Sequence, residues 1–206
     1  LGIVLEETGK TLVSSPLIST VLVGATAIAQ LGSEKQKQNF LPKIIAGELL
    51  TALALDEHTS HNPIKIATTA VKVEGGYSLN GSKTFVLDGH IANMLIVVAR
   101  TSSETSNEQG ISLFLVDANA EGLSVARTIM VDSRNSSNIQ FDNVVVVEEA
   151  VLGKLDQGFS GLDRVLDIAR IGIAAEMLGS MQAVFESILA FLKQREQFGV
   201  LIGSFQ

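Results

Sequence analysis

The side chains with chemical reach in this sequence are carboxylates and arginines, since it holds no cysteine and only His58, His61 and His90 as histidines. Without cysteine there is no disulfide, thiolate ligand or thiol nucleophile. The scattered histidines give no metal-ligand spacing, so no metal site is expected. Asp56 and Glu57 close the run TALALDEH, and a carboxylate at a strand end either takes a proton in a reaction or is solvated. Asp167 and Arg170 stand three apart and share one helical face. An arginine in an otherwise apolar helix needs a partner, and Asp167 is either that partner or a second contact to a ligand. Arg195, Phe198 and Gly199 form an RxxFG group. Taken singly, Arg195 reads as a surface arginine, and Phe85 and Phe198 read as core. Gly153 to Gly161 has the spacing of a turn before a helix, not of a phosphate loop.

These residues sit on three kinds of segment. Ser15-Pro16 is a helix start, followed by Leu17, Ile18, Val21, Leu22, Ala25, Ile28 and Ala29 at helical spacing. Gly32 ends that helix, Ser33 with Gln36 reads as a capping box for the next, and Gly47 terminates it after Pro42 restarts the pattern. From Thr51 onward, TALALD, ATTAVKVE, YSLNG, KTFVLD, MLIVVAR, ISLFLVD, LSVARTI and NIQFDNVVVV are short β-branched runs parted by Gly, Asn, Asp and Ser. Gly75-Gly76 and Asn80-Gly81 supply turns, and residues 101–110 form a polar surface loop. From about Gln157 a helical period runs to Lys193, roughly 55 Å at about 1.5 Å per residue. A helix this long and apolar must be buried on several sides, in a bundle or a subunit interface. Gly172 and Gly179 would let another helix approach closely, the alternative being two helices broken near one of them. The fold class is therefore α+β, with N-terminal helices (1–50), a central antiparallel β-barrel or sandwich domain (51–155) and a C-terminal long helix of a helical bundle (156–206).

With 206 residues and 46% hydrophobic content the chain can bury a sizeable core. The net charge of −7, from 22 acidic and 15 basic residues, is spread evenly, so no nucleic-acid surface is expected. No uncharged apolar stretch reaches the roughly 18 residues of a membrane span. With no signal-peptide pattern either, a cytoplasmic location is expected. Leu1 falls in what reads as mid-helix and Gln206 where a new pattern begins, so both ends read as cut.

The order helix, β-domain, long helix resembles the acyl-CoA dehydrogenases, over nearly the whole chain. The match is densest at REQFGVLIGSFQ (195–206), close to that family's RxQFGxxIxxFQ pattern, and at GSEKQKQNFLPKIIAGE (32–48). Ala54-Leu55-Asp56-Glu57-His58 is similar to the family's ALTEP strand end, and KTFVLDG (83–89) to its KxFITNG segment. Asp132-Ser133-Arg134 resembles a D-x-T-R form from a bacterial branch.

The resemblance implies an FAD flavoprotein that desaturates an acyl-CoA thioester: a carboxylate removes the α-proton while the β-hydrogen leaves as hydride to the flavin. It implies cofactor contacts at Leu55, Asp56, Glu57 and Asn62, at Phe85, Val86 and Leu87, and at Arg195, Phe198 and Gln206. Arg195 corresponds to an arginine reaching the FAD pyrophosphate of a neighbouring subunit, a task suited to a planar cation. Asn62, Asp167 and Arg170 correspond to positions near the acyl-CoA. Implied partners are the acyl-CoA substrate, an electron-transfer acceptor and further subunits in a homo- or hetero-oligomer, dimer or tetramer.

Three departures stand out. Asp56 replaces the family's Thr, His58 to Pro63 replaces Pro-Gly-Ala-Gly-Ser-Asp, and Leu87 replaces a ring-facing Thr or Ser. An anionic Asp56 beside the flavin would disfavour its reduced anion, and Leu87 offers no hydroxyl. They motivate an alternative, an accessory subunit with weakened flavin contacts. A folded acyl-binding module without redox function is a third reading, against which the RxQFG match argues. Ala169 occupies one family position of the catalytic base and cannot take a proton. The base is therefore expected beyond Gln206, and residues 1–206 alone are expected to be inactive.

Overall fold

Ser15-Pro16 does open a helix: the Ser15 hydroxyl oxygen accepts from the Leu17 N–H at 3.3 Å. The turns that follow are wider than those of an α-helix. Leu17–Ala25 is a π-helix, which passes into α2, Thr26–Leu31. Thr20 Oγ1 donates to the Thr51 carbonyl at 3.2 Å and accepts from the Thr51 N–H at 3.1 Å. A side chain thus satisfies backbone groups at the adjoining strand end. The capping box forms as read. Gln36 N–H donates to Ser33 Oγ at 3.2 Å, and Ser33 N–H to Gln36 Oε1 at 2.8 Å. Helix α3 then runs from Glu34 to Ile45 straight through Pro42 rather than restarting there. Gly47 follows with φ of 75°, as a helix terminator requires.

The computed structural model describes residues 1–102, 107–132 and 134–205; part of the polar loop at 101–110, Ser133 and Gln206 fall outside them. The chain divides into two compact units, Ser15–Ala169 and Leu1–Ser14 with Arg170–Gln206.

The first unit is built on one eight-stranded sheet. Its strands are β1 (Thr51–Ala54), β2 (Thr69–Val73), β3 (Gly76–Leu87), β4 (Met94–Arg100), β5 (Ile111–Asp117), β6 (Leu123–Thr128), β7 (Ser136–Val147) and β8 (Val151–Leu152). The order is β6-β7-β3-β2-β4-β5-β8, with β1 also on β4. Most pairings are antiparallel, as expected. The sheet is nonetheless mixed, because β1 and β2 each pair with β4 in parallel. Parallel neighbours need a crossover connection, and residues 55–93 supply it for β1 and β4. MLIVVAR of β4 is buried along its length, since both faces are covered. Met94, Ile96 and Val98 join the cluster with Ile28, Leu113 and Leu152, while Leu95, Val97 and Ala99 join the one with Leu79, Phe114 and Phe141. Such a two-sided strand reads as a continuous apolar run rather than an alternation. Leu162, Val165, Leu166 and Ala169, from the first turns of helix α4 (Phe159–Leu192), complete the first cluster.

Helix α4, Phe159–Leu192, is unbroken. In the second unit its distal part packs on α1, Gly2–Thr11. A Cβ at Gly179 would lie 1.8 Å from the Glu6 carbonyl oxygen, and one at Gly9 2.0 Å from that of Glu176. Gly179 therefore performs the close approach expected of it, and Gly9 answers it from the opposite helix. Ile171, Met177, Met181, Phe185, Ile188 and Phe191 of α4 are exposed. By length and composition alone, α4 is long and apolar enough to cross a membrane. The unit ends with the hairpin β9 (Glu196–Gln197) and β10 (Val200–Leu201).

Candidate functional site

A cleft of about 610 Å³ opens where the chain leaving β1 meets the distal half of β3, lined by Glu57, His58, Thr59, Thr84, Phe85, Thr128, Ser136 and Asn138. Phe85 has φ of 53° and is 60% exposed. A left-handed phenylalanine is uncommon. It occurs where the β3–β7 register shifts between Lys83 and Val86, and the break turns the ring out of the sheet into the cleft. Asn138 Oδ1 accepts from the Phe85 N–H at 3.4 Å, and the Thr84 N–H donates to the Asp56 carbonyl at 2.7 Å.

An ion pair lies beneath the cleft. Lys83 Nζ, fully buried, donates to Glu57 Oε1 at 2.7 Å and to the Leu55 carbonyl at 3.0 Å. The Glu57 carboxylate also accepts from the Ala67 N–H at 2.6 Å and the Thr68 N–H at 2.9 Å. Burial pushes the Lys83 ammonium down to about 8, against the opposing pull of Glu57 and Asp56. For Glu57 burial acts upward, but the charge of Lys83 and the bonds from Lys83 and Thr68 outweigh it and hold the carboxyl below its usual value. Glu57 is thus a poor proton acceptor at neutral pH.

The other expected residues distribute as follows. Leu55 and Val86 are core side chains and are not among the lining residues. Asp56 is bound by His61 Nδ1 at 3.0 Å, and neither Asp56 nor Leu87 is among the lining residues. Asn62 is exposed and accepts from the Ile64 N–H at 3.4 Å. Asp167 and Arg170 are exposed on α4. In the second unit Arg195 is exposed, and Phe198, 93% exposed with φ of 54°, meets Phe205 edge to face at 6.3 Å between ring centroids. Gln206 lies outside the described residues. Glu57 and Phe85 are therefore brought together, with Asp56 alongside. His58, Thr59 and Thr84, which lie within the matched segments, and Lys83, Thr128, Ser136 and Asn138 were missed as site residues. Lys83 had a signal, a charge within a strand run, whereas Thr128, Ser136 and Asn138 are polar residues of β6 and β7 that only sheet pairing brings to the cleft.

A larger cleft of about 700 Å³ lies between α3 and the β5–β8 edge, with Lys35, Phe40, Lys43, Met94, Leu115 and Glu149 in its lining. None of the expected residues lines it. Among the described residues no group of three or more His, Asp or Glu is placed to hold a metal.

The smaller cleft offers one exposed aromatic face, hydroxyl and amide groups on its walls, and a carboxylate already neutralised by a lysine. Such a donor set suits a planar, uncharged heteroaromatic ring with hydrogen-bonding edges. The elements define an α+β chain with this cleft on its sheet and one long helix, and comparison with known proteins gives its family. The N-terminal, middle and C-terminal domain models of acyl-CoA dehydrogenase match residues 1–48, 52–144 and 156–206. The chain is 38% identical over 181 residues to an acyl-CoA dehydrogenase of Bacillus subtilis (strain 168), covering 86% of this chain and 48% of that protein. It is 38% identical over 179 residues to the mitochondrial isovaleryl-CoA dehydrogenase of Solanum tuberosum, 85% and 43% covered. The butyryl-CoA dehydrogenase structure from Megasphaera elsdenii superposes with a TM-score of 0.92 at 32% identity, over 100% of this chain and 55% of that one. The chain belongs to the acyl-CoA dehydrogenase family. It spans about half the length of the curated relatives it matches.

Proposed function

We propose that this protein is an FAD-dependent acyl-CoA dehydrogenase that desaturates an acyl-CoA thioester between Cα and Cβ. The observation that carries this reading is the convergence of residues 57–59 and 84–85 on one cleft around the exposed ring of Phe85. FAD is the cofactor, and when bound it accepts the β-hydrogen as hydride. Phe85 would hold it through its exposed aromatic face, and Thr84, Thr128, Ser136 and Asn138 would offer hydrogen-bonding groups. Leu55, Asp56, Val86 and Leu87 contribute through backbone, which does not depend on residue type. Arg195 and Phe198, with Gln206, serve the cofactor of a neighbouring subunit in a homo- or hetero-oligomer; Asn62, Asp167 and Arg170 serve the acyl-CoA. Electrons pass on to an electron-transfer acceptor. Glu57 is the cleft's carboxylate and is occupied by Lys83 and two amides, which supports a base other than Glu57, and the family resemblance puts that base beyond Gln206. The division into 1–50, 51–155 and 156–206 is part of the same proposal.

One observation bears on the accessory-subunit reading and another on location. Asp56 is engaged by His61 and Leu87 does not line the cleft, so two of the three departures that suggested an accessory subunit stand away from the ring site, whereas His58, which opens the third, lines it. Leu162, Val165, Leu166 and Ala169 are buried in the core of the sheet unit, which supports reading the start of α4 as a core helix, and the location proposed is cytoplasmic. The test is flavin binding by the purified full chain, read by the visible spectrum and by quenching of FAD fluorescence. Stoichiometric FAD is expected, with occupancy reduced in Arg195→Glu. An oligomer that binds no FAD would refute the enzyme reading, and unchanged occupancy in Arg195→Glu would remove that residue from the site.

A further inference from the structure

The backbone at the cleft is held in an unusual way. Thr84 and Phe85 are the residues at which the β3–β7 ladder lapses, between the pairs Lys83 with Ile139 and Val86 with Ser137. They are also the two residues of β3 that line the cleft. The regular ladder to β7 is therefore interrupted at the part of β3 that matters most, where the Phe85 N–H donates to the Asn138 side chain of β7 at 3.4 Å. Further ties run to the chain leaving β1: Thr84 N–H to the Asp56 carbonyl at 2.7 Å, and Lys83 Nζ to the Leu55 carbonyl and Glu57. Glu57 in turn grips the Ala67 and Thr68 amides, just ahead of β2. One buried carboxylate and one buried ammonium thus join three backbone segments under one wall of the cleft. A pair of this kind is a poor choice for stability alone, because the desolvation of two ions offsets most of their attraction, and apolar residues of similar volume often do as well or better.

We propose that the Lys83–Glu57 ion pair is a positioning clamp, which locks the chain at residues 55–57 to β3 so that Phe85 and residues 57–59 face the cleft at fixed separation. Its consequence for cofactor binding rests on the reading of that cleft as the flavin site. Neither residue needs to touch the ring: the clamp acts through Thr84 and Phe85.

The experiment compares the wild-type full chain with the double variant Lys83→Met, Glu57→Gln, which removes both charges and so avoids an unpaired buried ion. Amide hydrogen exchange is measured without FAD, and FAD affinity and the vibronic structure of the flavin absorption band are measured with it. In the wild type, the amides of Ala67, Thr68 and Thr84 are expected to exchange as slowly as those of β4. In the double variant Thr84 and Phe85 should exchange at least about tenfold faster while β4 is unchanged, at a melting temperature close to that of wild type. FAD should bind about tenfold more weakly, with a less resolved band. A merely structural pair would change the melting temperature and β4 together and leave affinity alone. Fast exchange at Ala67, Thr68 and Thr84 in the wild type, or unchanged exchange at Thr84 and Phe85 in the variant, overturns the clamp, and the wild-type measurement decides even if the variant does not fold. A wild type that shows the clamp by exchange but binds no FAD overturns the flavin reading instead.

Discussion

Removing the charges of Lys83 and Glu57 one at a time and then together should give stabilities that do not add. Burial moves Lys83 from its ordinary value of 10.5 to about 8. At about 1.4 kcal/mol per pH unit this is a penalty of about 3 kcal/mol for keeping the ammonium charged in the folded chain. The sign follows from proton binding: between about 8 and 10.5 the unfolded chain holds the lysine proton and the folded chain has released it, so stability rises with pH across that window. Below pH 8 both states are protonated and the penalty is constant. Glu57, whose folded pKa is depressed, contributes stability that is present above the ordinary carboxylate value and is lost as pH falls through the lower folded value. At pH 7 each single variant, Lys83→Met or Glu57→Gln, leaves the opposite charge buried and unpaired and should lose about 3–5 kcal/mol. The double variant sheds the lysine penalty of about 3 kcal/mol and forfeits both bonds donated by Lys83 and one acceptor for the Ala67 and Thr68 amides, at about 1 kcal/mol each, so it should be about as stable as wild type. Urea denaturation of the four proteins at pH 7 and pH 9.5 measures this, and the wild-type gain over the double variant at the higher pH isolates the lysine. A double variant less stable than either single variant, or a wild type that loses stability relative to it between pH 8 and 10, would refute the reasoning.

Phe85→Ala should weaken FAD binding about tenfold while changing the melting temperature little, because the ring is 60% exposed and its contribution to the core is small; fluorescence titration with a parallel thermal melt checks both halves. Gln36→Ala removes the capping box together with the bonds from Gln36 Nε2 to the Glu149 and Val151 carbonyls at 2.9 and 3.0 Å. It should cost about 3 kcal/mol in a denaturant titration at roughly 1 kcal/mol per lost bond, and a loss below about 1 kcal/mol would mean that water replaces the amide.

How much of this protein was legible in its sequence follows from the range of the forces involved. Local patterns suffice for the helix starts and stops: Ser33 and Gln36 satisfy each other three residues apart, Gly47 takes the left-handed angle a terminator needs, and the apolar period of α4 carries through to Leu192 without a break. The likeness of the RxQFG and GSEKQKQNF segments to the acyl-CoA dehydrogenases was readable for the same reason, being contiguous in the chain. Pairing across the sheet was not. The parallel ladders of β1 and β2 on β4 and the register lapse in β3 depend on which strands come to lie side by side, a choice made by two-sided burial of β4 rather than by any local propensity. Glu57 read as a strand-end carboxylate because its partner stands 26 residues away, and Asp56 read as a charge beside the ring because His61 could not be placed. Tertiary structure alone decided that Lys83 lies under the cleft, that Thr128, Ser136 and Asn138 wall it, and that Asp56 and Leu87 do not, since each of these is a contact between segments that only the folded sheet brings within a few ångströms.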